Sequence, residues 1–109
     1  MRRTLQTMLA GLVVWAAAGP VVADGVAGKT KARACAVCHG PMGISNAPDA
    51  PSLAGQPERY LVEQLKAYRG GRRQHEVMSV MARALTDDDI RDLSAWYSSL
   101  VIEVKSPPN

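Results

Sequence analysis

The sequence has no apolar stretch long enough to anchor a chain in a bilayer. Its longest, Met8 to Ala18 (MLAGLVVWAAA), is a run of eleven, and a spanning helix needs about 20 residues. Arg2 and Arg3 precede that run; Gly19-Pro20 and then Val21-Val22-Ala23 follow it. A charged start, a short apolar run, a breaker and small residues before a cut after Ala23 together form the pattern of an export leader. No cysteine sits at the cut, so a lipid anchor would lack its attachment residue. Cleavage leaves Asp24 to Asn109, 86 residues, enough for one small domain and not two. It also removes two of the 13 basic residues and none of the 10 acidic ones, so a net charge of +3 falls to +1. That balance offers no electrostatic case for binding nucleic acid.

Also missing are internal repeats, any sustained strand-like alternation, and low-complexity tracts beyond Pro107-Pro108. Residues 105–109 read as a disordered tail. What remains is helical, and the expected fold class is all-α. The first helical segment runs from about Gly25 to Val37, with Val26, Ala27, Thr30, Ala34 and Val37 on one side. The second opens at Pro57, a favourable first helical residue. It carries Tyr60, Leu61, Leu65 and Tyr68 at helical spacing and ends at Gly70-Gly71. The third follows Thr86 as N-cap, with Asp87, Asp88 and Asp89 in the first turn. Ile90, Leu93, Trp96, Tyr97 and Leu100 form its apolar stripe.

Two long connections separate these helices. Gly40 to Gln56 holds three prolines and three glycines, and Gly71 to Leu85 holds His75, Met78 and Met81. Connections of this length are uncommon in a small domain unless something organises them. A domain of this size also buries little surface, so a metal, cofactor or cross-link commonly supports it.

Only two cysteines are available, and their neighbours identify the support. Cys35-Ala36-Val37-Cys38-His39 is the C-x-x-C-H signature for covalent haem. Two thiols one helical turn apart can reach the two vinyl groups of one porphyrin as thioethers, and the adjacent histidine then points its imidazole at the iron. A zinc site would need His75 as a distant fourth ligand in an unusual spacing. A thioredoxin-like pair would sit beside a βαβ pattern, which is missing. A disulfide across so short a loop would constrain the unfolded chain little.

Iron accepts a second axial ligand, and the mature chain offers Met42, Met78, Met81 and His75. Met42 is only three residues past His39, too near to cross to the opposite face of the porphyrin. Met78 and Met81 both lie in a loop that can wrap to the far side, and each could equally fill core space. The residues alone leave that choice open.

Three segments resemble the small class I bacterial cytochromes c, most closely the haem domain repeated in periplasmic dihaem cytochromes c. They are CAVCHGPMGIS, PSLAGQPERYLVEQLKAYRGG and MSVMARALTDDDIRDLSAWYSSL, in that order. The resemblance covers Gly25 to Leu100. It implies a class I cytochrome c fold, with three main helices and long loops wrapped around one covalent haem c. In the family pattern the iron ligand is the first methionine of the M-x-x-M pair. This implies Met78 as ligand beside His39, with Met81 the alternative and otherwise a packing residue. Pro51 matches the proline whose carbonyl accepts a hydrogen bond from the histidine ligand. Gly28 and Trp96 match the crossing of the first and last helices, where glycine permits close approach.

The implied function is that of a periplasmic one-electron carrier between respiratory redox partners, not an enzyme. Two protein ligands on iron leave no open position for substrate. Partners would be redox proteins that dock transiently, with no stable membrane insertion once the leader is cut. A dedicated electron-transfer subunit of a dehydrogenase or oxidase shares the same site, and a ligand-binding haem enzyme or sensor would require Met78 off the iron. The loop Gly71 to Val77 (GRRQHEV) departs from the family pattern. Arg69 before it and Arg72 and Arg73 within it are candidates for a basic collar that steers an acidic partner or, equally, for a solvated surface, and His75 reads as a solvent-facing residue or an alternative ligand.

Overall fold

The computed structural model describes Val14, Gly19 and residues 23–108. The leader expected over residues 1–23 falls outside the described residues apart from Val14, Gly19 and Ala23. Among the described residues there is no strand, and five helices follow in order. They are α1 (Gly25–Lys31), α2 (Ala36–His39), α3 (Glu58–Arg69), α4 (Met78–Arg83) and α5 (Asp87–Ser99), with a 3-10 turn at Ala32–Ala34 between the first two. The all-α class I cytochrome c fold expected from the sequence is the fold observed.

Helix α5 forms where its caps predict. The Thr86 side chain accepts from the Asp89 amide at 3.1 Å, and the Asp89 carboxylate accepts from the Thr86 amide at 2.9 Å. The two orphan amides of the first turn thereby find partners. Ile90, Leu93 and Tyr97 are buried on its inner face, while Trp96 is half-buried and Leu100 lies just past the last turn. Pro57 is the N-cap of α3 rather than its first helical residue, and Gly70 closes the helix. Leu61 is buried there and Tyr60 faces out.

The first segment departs from the expected helix. A single helix from Gly25 to Val37 would keep one apolar side inward, but the chain tightens into the 3-10 turn after Lys31 and the expected side points outward. Val26 is 77% and Val37 89% exposed. The buried face is instead Gly28 and Ala32, with Cys35 packed beside them. The cause is α5, which crosses α1 at backbone distance. A Cβ built on Gly28 would collide with the Asp92 carbonyl oxygen and lie 2.7 Å from Trp96 Cβ. Only glycine admits this approach, so the smallest residue marks the inner face and the larger valines do not.

The crossing is tied at both edges. Asp24 caps α1 by accepting from the Val26 amide at 2.8 Å, and its own amide donates to Asp92 Oδ1 at 2.9 Å. Lys31 Nζ reaches Asp89 at 2.9 Å and Asp92 at 2.7 Å. Lys29 lies over the Trp96 ring, 5.6 Å from its centroid. Helix α3 also packs on α5, and a small core of Ala32, Leu61, Leu93 and Tyr97 fills the junction, flanked by Leu53, Leu65, Leu85 and Leu100.

The stretch from Gly71 to Leu85, expected as a connection, contains α4. Its six residues pack against α3, and Ala82 is fully buried. Short helices gain most of their stability from packing rather than propensity. The sequence window therefore carried no periodic signal long enough to reveal it.

Candidate haem site

The attachment motif lies on α2. Cys35 is its N-cap, and the His39 amide donates to the Cys35 carbonyl at 2.9 Å, closing one turn from Cys35 to His39. Both cysteines are free thiols. Cys38 is exposed, whereas Cys35 is half-buried against the core. Burial pushes the Cys35 thiol up, opposed by the neighbouring Tyr97 hydroxyl. Burial and then Cys35 itself push the Tyr97 hydroxyl well above its ordinary range. Neither group ionises at neutral pH, so Cys35 is held as a neutral sulfur, the state it would keep as a thioether.

His39 is only 7% exposed. Its Nδ1 donates to the Pro51 carbonyl oxygen at 2.7 Å. That bond fixes the tautomer and leaves the Nε2 lone pair as the ring's donor to a metal. Proline suits the accepting position because it keeps a carbonyl while lacking an N–H of its own.

The connection Gly40 to Gln56, which brings Pro51 to His39, is organised largely by its own hydrogen bonds. The Gly43 carbonyl accepts from the Leu53 and Ala54 amides at 2.7 and 3.0 Å. The Ser45 hydroxyl donates to the Cys38 carbonyl at 2.8 Å, and the Ser52 hydroxyl accepts from the Ser45 amide at 2.9 Å. Gly43 adopts a positive φ, 73°, and a Cβ there would meet Ala54 N and the Tyr97 ring, each at 2.9 Å. This loop is thus pinned to α2 on one side and to α5 on the other.

The methionines separate by environment. Met42 is exposed beyond His39. Met78 and Met81 both lie on α4, with Met78 half-buried at its first position and Met81 43% exposed one turn later. Helix α2 packs on the 3-10 turn and α4 packs on α3. The two candidate sources of axial ligands thus enter the domain on separate elements. His75 is exposed, and its Nδ1 accepts from the Val77 and Met78 amides at 3.2 and 3.3 Å. That role in the turn before α4 gave no signal in the sequence, since it depends on how the loop folds back.

Two of the arginines considered for a basic collar also make contacts inside the domain, while Arg72 and Arg73 stay exposed. Arg69 donates to the Leu85 carbonyl at 3.1 Å and pairs with Asp87 at 2.6 Å, clamping the end of α3 to the start of α5. Arg73 donates to Gln64 at 2.7 Å and stacks over Tyr68.

The donor set fits covalent haem. Two free thiols sit one turn apart, the buried histidine has one ring nitrogen already satisfied, and two methionines are available on a separate element, α4. Among the described residues no cluster of three or more His, Cys, Asp or Glu side chains could hold a bare metal ion.

Comparison with known proteins points the same way. The family model described as cytochrome c matches residues 25–100. Cytochrome c-554(548) of Halomonas halodenitrificans is 44% identical over 79 residues, covering 70% of this chain and 95% of that protein. The thiosulfate dehydrogenase electron acceptor of Thiomonas intermedia is 38% identical over 109 residues, covering 99% of this chain and 48% of that one. The structure of reduced recombinant cytochrome c4 from Pseudomonas stutzeri superposes with a TM-score of 0.69 at 38% identity, over 73% of this chain and 47% of that chain. The chain thus spans about half the length of the cytochrome c4 and acceptor proteins it matches. It belongs to the cytochrome c family, the electron carriers with covalently bound haem c, as a class I cytochrome c related to the haem domain repeated in the dihaem proteins.

Proposed function

We propose that the chain is a periplasmic one-electron carrier holding one haem c, attached through Cys35 and Cys38 and ligated axially by His39 and Met78. The observation that carries this proposal is the buried His39 ring held by the Pro51 carbonyl at 2.7 Å, directly after the two free thiols. Such a bond orients the imidazole and raises its basicity toward a metal. Met78 is favoured over Met81 because it is the less exposed of the two and begins the helix. When bound, haem supplies a one-electron couple whose potential a thioether ligand and burial raise. The protein holds its ligands on rigid elements, so geometry changes little between oxidation states.

Among the described residues no helix is long and apolar enough to cross a membrane. In this reading the leader is cut and the domain meets its partners by transient docking. A reduced-minus-oxidised spectrum with potentiometric titration tests the proposal. A single wave with one-electron slope on the positive side supports it. Prompt stoichiometric binding of carbon monoxide to the reduced protein at neutral pH would replace it with a ligand-binding enzyme or sensor.

The relative named as an electron acceptor of thiosulfate dehydrogenase favours a second version, in which the carrier serves one dehydrogenase or oxidase as its dedicated subunit. Co-purification of an enzyme with the chain separates the two.

A further inference from the structure

Helix α4 lacks the usual devices that start a helix. Its N-cap is Val77, which makes no side-chain capping bond, and its first turn has no acidic residue. Six residues cannot sustain a helix by propensity alone, and the first amides of any helix need acceptors. Here the acceptor comes from outside the helix. His75 Nδ1 takes hydrogen bonds from the Val77 and Met78 amides at 3.2 and 3.3 Å. The same residue is closed from the other direction: its amide donates to Ser79 Oγ at 3.0 Å, and its carbonyl accepts from the Ser79 amide at 3.0 Å. His75 and Ser79 thus clasp the turn at which Met78 leaves the backbone.

We infer that His75 is a positioning residue for the methionine ligand: its Nδ1 seats the first turn of α4 and thereby holds Met78 toward the haem face. The inference rests on the assignment of Met78 to the iron and extends it to a residue outside the proposed ligand set. Nδ1 acts as an acceptor, so the ring proton resides on Nε2, and an acceptor atom at that place is what the role requires. Asparagine offers one, because its side-chain carbonyl oxygen occupies nearly the position of the imidazole Nδ1 and asparagine is a good helix-capping residue. Alanine offers none.

Methionine release can be read with free imidazole, which binds ferric haem only where the sixth position opens. Its apparent affinity rises in proportion to the fraction of protein with methionine off the iron. In the holoprotein, His75→Ala should tighten apparent imidazole binding by roughly fivefold, the effect of losing one helix cap. The sulfur-to-iron absorption band of the oxidised protein should also vanish at a lower temperature, ahead of the loss of helical circular dichroism. His75→Asn should restore both. Unchanged imidazole affinity in His75→Ala overturns the inference, as does failure of His75→Asn to restore it. Coincident loss of the band and of the helical signal also overturns it, because that reports general destabilisation. Where His75→Ala yields no holoprotein, Ser79→Ala decides, with tighter imidazole binding expected and unchanged binding refuting. The underlying assignment is checked apart from this: a sulfur-to-iron band that survives Met78→Leu removes Met78 as ligand, whatever His75 does.

Discussion

Replacing Gly28 with alanine tests the central contact of the fold. The added methyl would collide with the Asp92 carbonyl oxygen and lie 2.7 Å from Trp96 Cβ. The first of these is backbone inside α5 and cannot rotate away. Helices α1 and α5 must therefore separate, which stretches the Asp24 amide bond to Asp92 and the Lys31 bridges to Asp89 and Asp92. Overpacking of this kind costs about 1–3 kcal/mol. A contact against immovable backbone belongs at or above the upper end, and the better helix propensity of alanine returns about 1 kcal/mol. The net expectation is a loss of about 2 kcal/mol. In a domain of this size each kcal/mol moves the midpoint by about 4–8 °C, so the thermal transition should fall by about 8–16 °C. Circular dichroism melting of the oxidised holoprotein measures it. The visible spectrum at 25 °C should be unchanged, because the atoms that the new methyl would meet belong to Asp92 and Trp96 and not to His39 or Met78. An unchanged or raised midpoint would refute the account of the crossing.

Four further outcomes are expected. Met78→Leu should abolish the sulfur-to-iron band and lower the reduction potential, whereas Met81→Leu should leave the band in place; the reverse pattern in potentiometry and absorption would move the ligand to Met81. Asp89 is held at about 2, first by the Thr86 amide and then by Lys31 and the Thr86 hydroxyl. A carboxylate depressed on folding contributes stability above its unfolded value of 3.8 that is lost as pH falls toward the folded one. Denaturant midpoints should therefore drop between pH 4 and 2, and Asp89→Asn should flatten that drop. Ser94 is fully buried, and its hydroxyl has no hydrogen-bond partner among the described residues, so Ser94→Ala should raise stability by about 1 kcal/mol, measured by urea unfolding. Protein made without haem should lose most of its helical circular dichroism, because the protein core is small and the porphyrin would complete it; a native-like apoprotein spectrum would refute this.

Several features were already decided by residues close together in the chain. The attachment motif is five consecutive residues, and a single turn brings Cys35, Cys38 and His39 into register wherever that turn lies in the fold. The start of α5 is likewise local, because Thr86 and Asp89 satisfy each other's amides across one turn. Pro57 and Gly70 bound α3 for the same reason: each acts through its own backbone preference. The pairing of His39 with Pro51 came from resemblance to a family, not from spacing, and the loop that joins them shows why. Eleven residues of irregular chain are brought back by the Gly43 carbonyl and two serine hydroxyls, none of which has a periodic signature.

Tertiary structure decided what depended on partners far along the chain. The inner face of α1 was set by α5, sixty-odd residues later, which selects Gly28 for its size and leaves the valines outside. Arg69 and Arg73 look like a basic patch when read by charge alone. Asp87, the Leu85 carbonyl, Gln64 and the Tyr68 ring claim them in the folded domain. Helix α4 exists because α3 supplies a surface for it and His75 an acceptor. Spacing along the chain therefore pointed to the chemistry of the proposed haem attachment, while packing between distant segments determined which residues surround that motif.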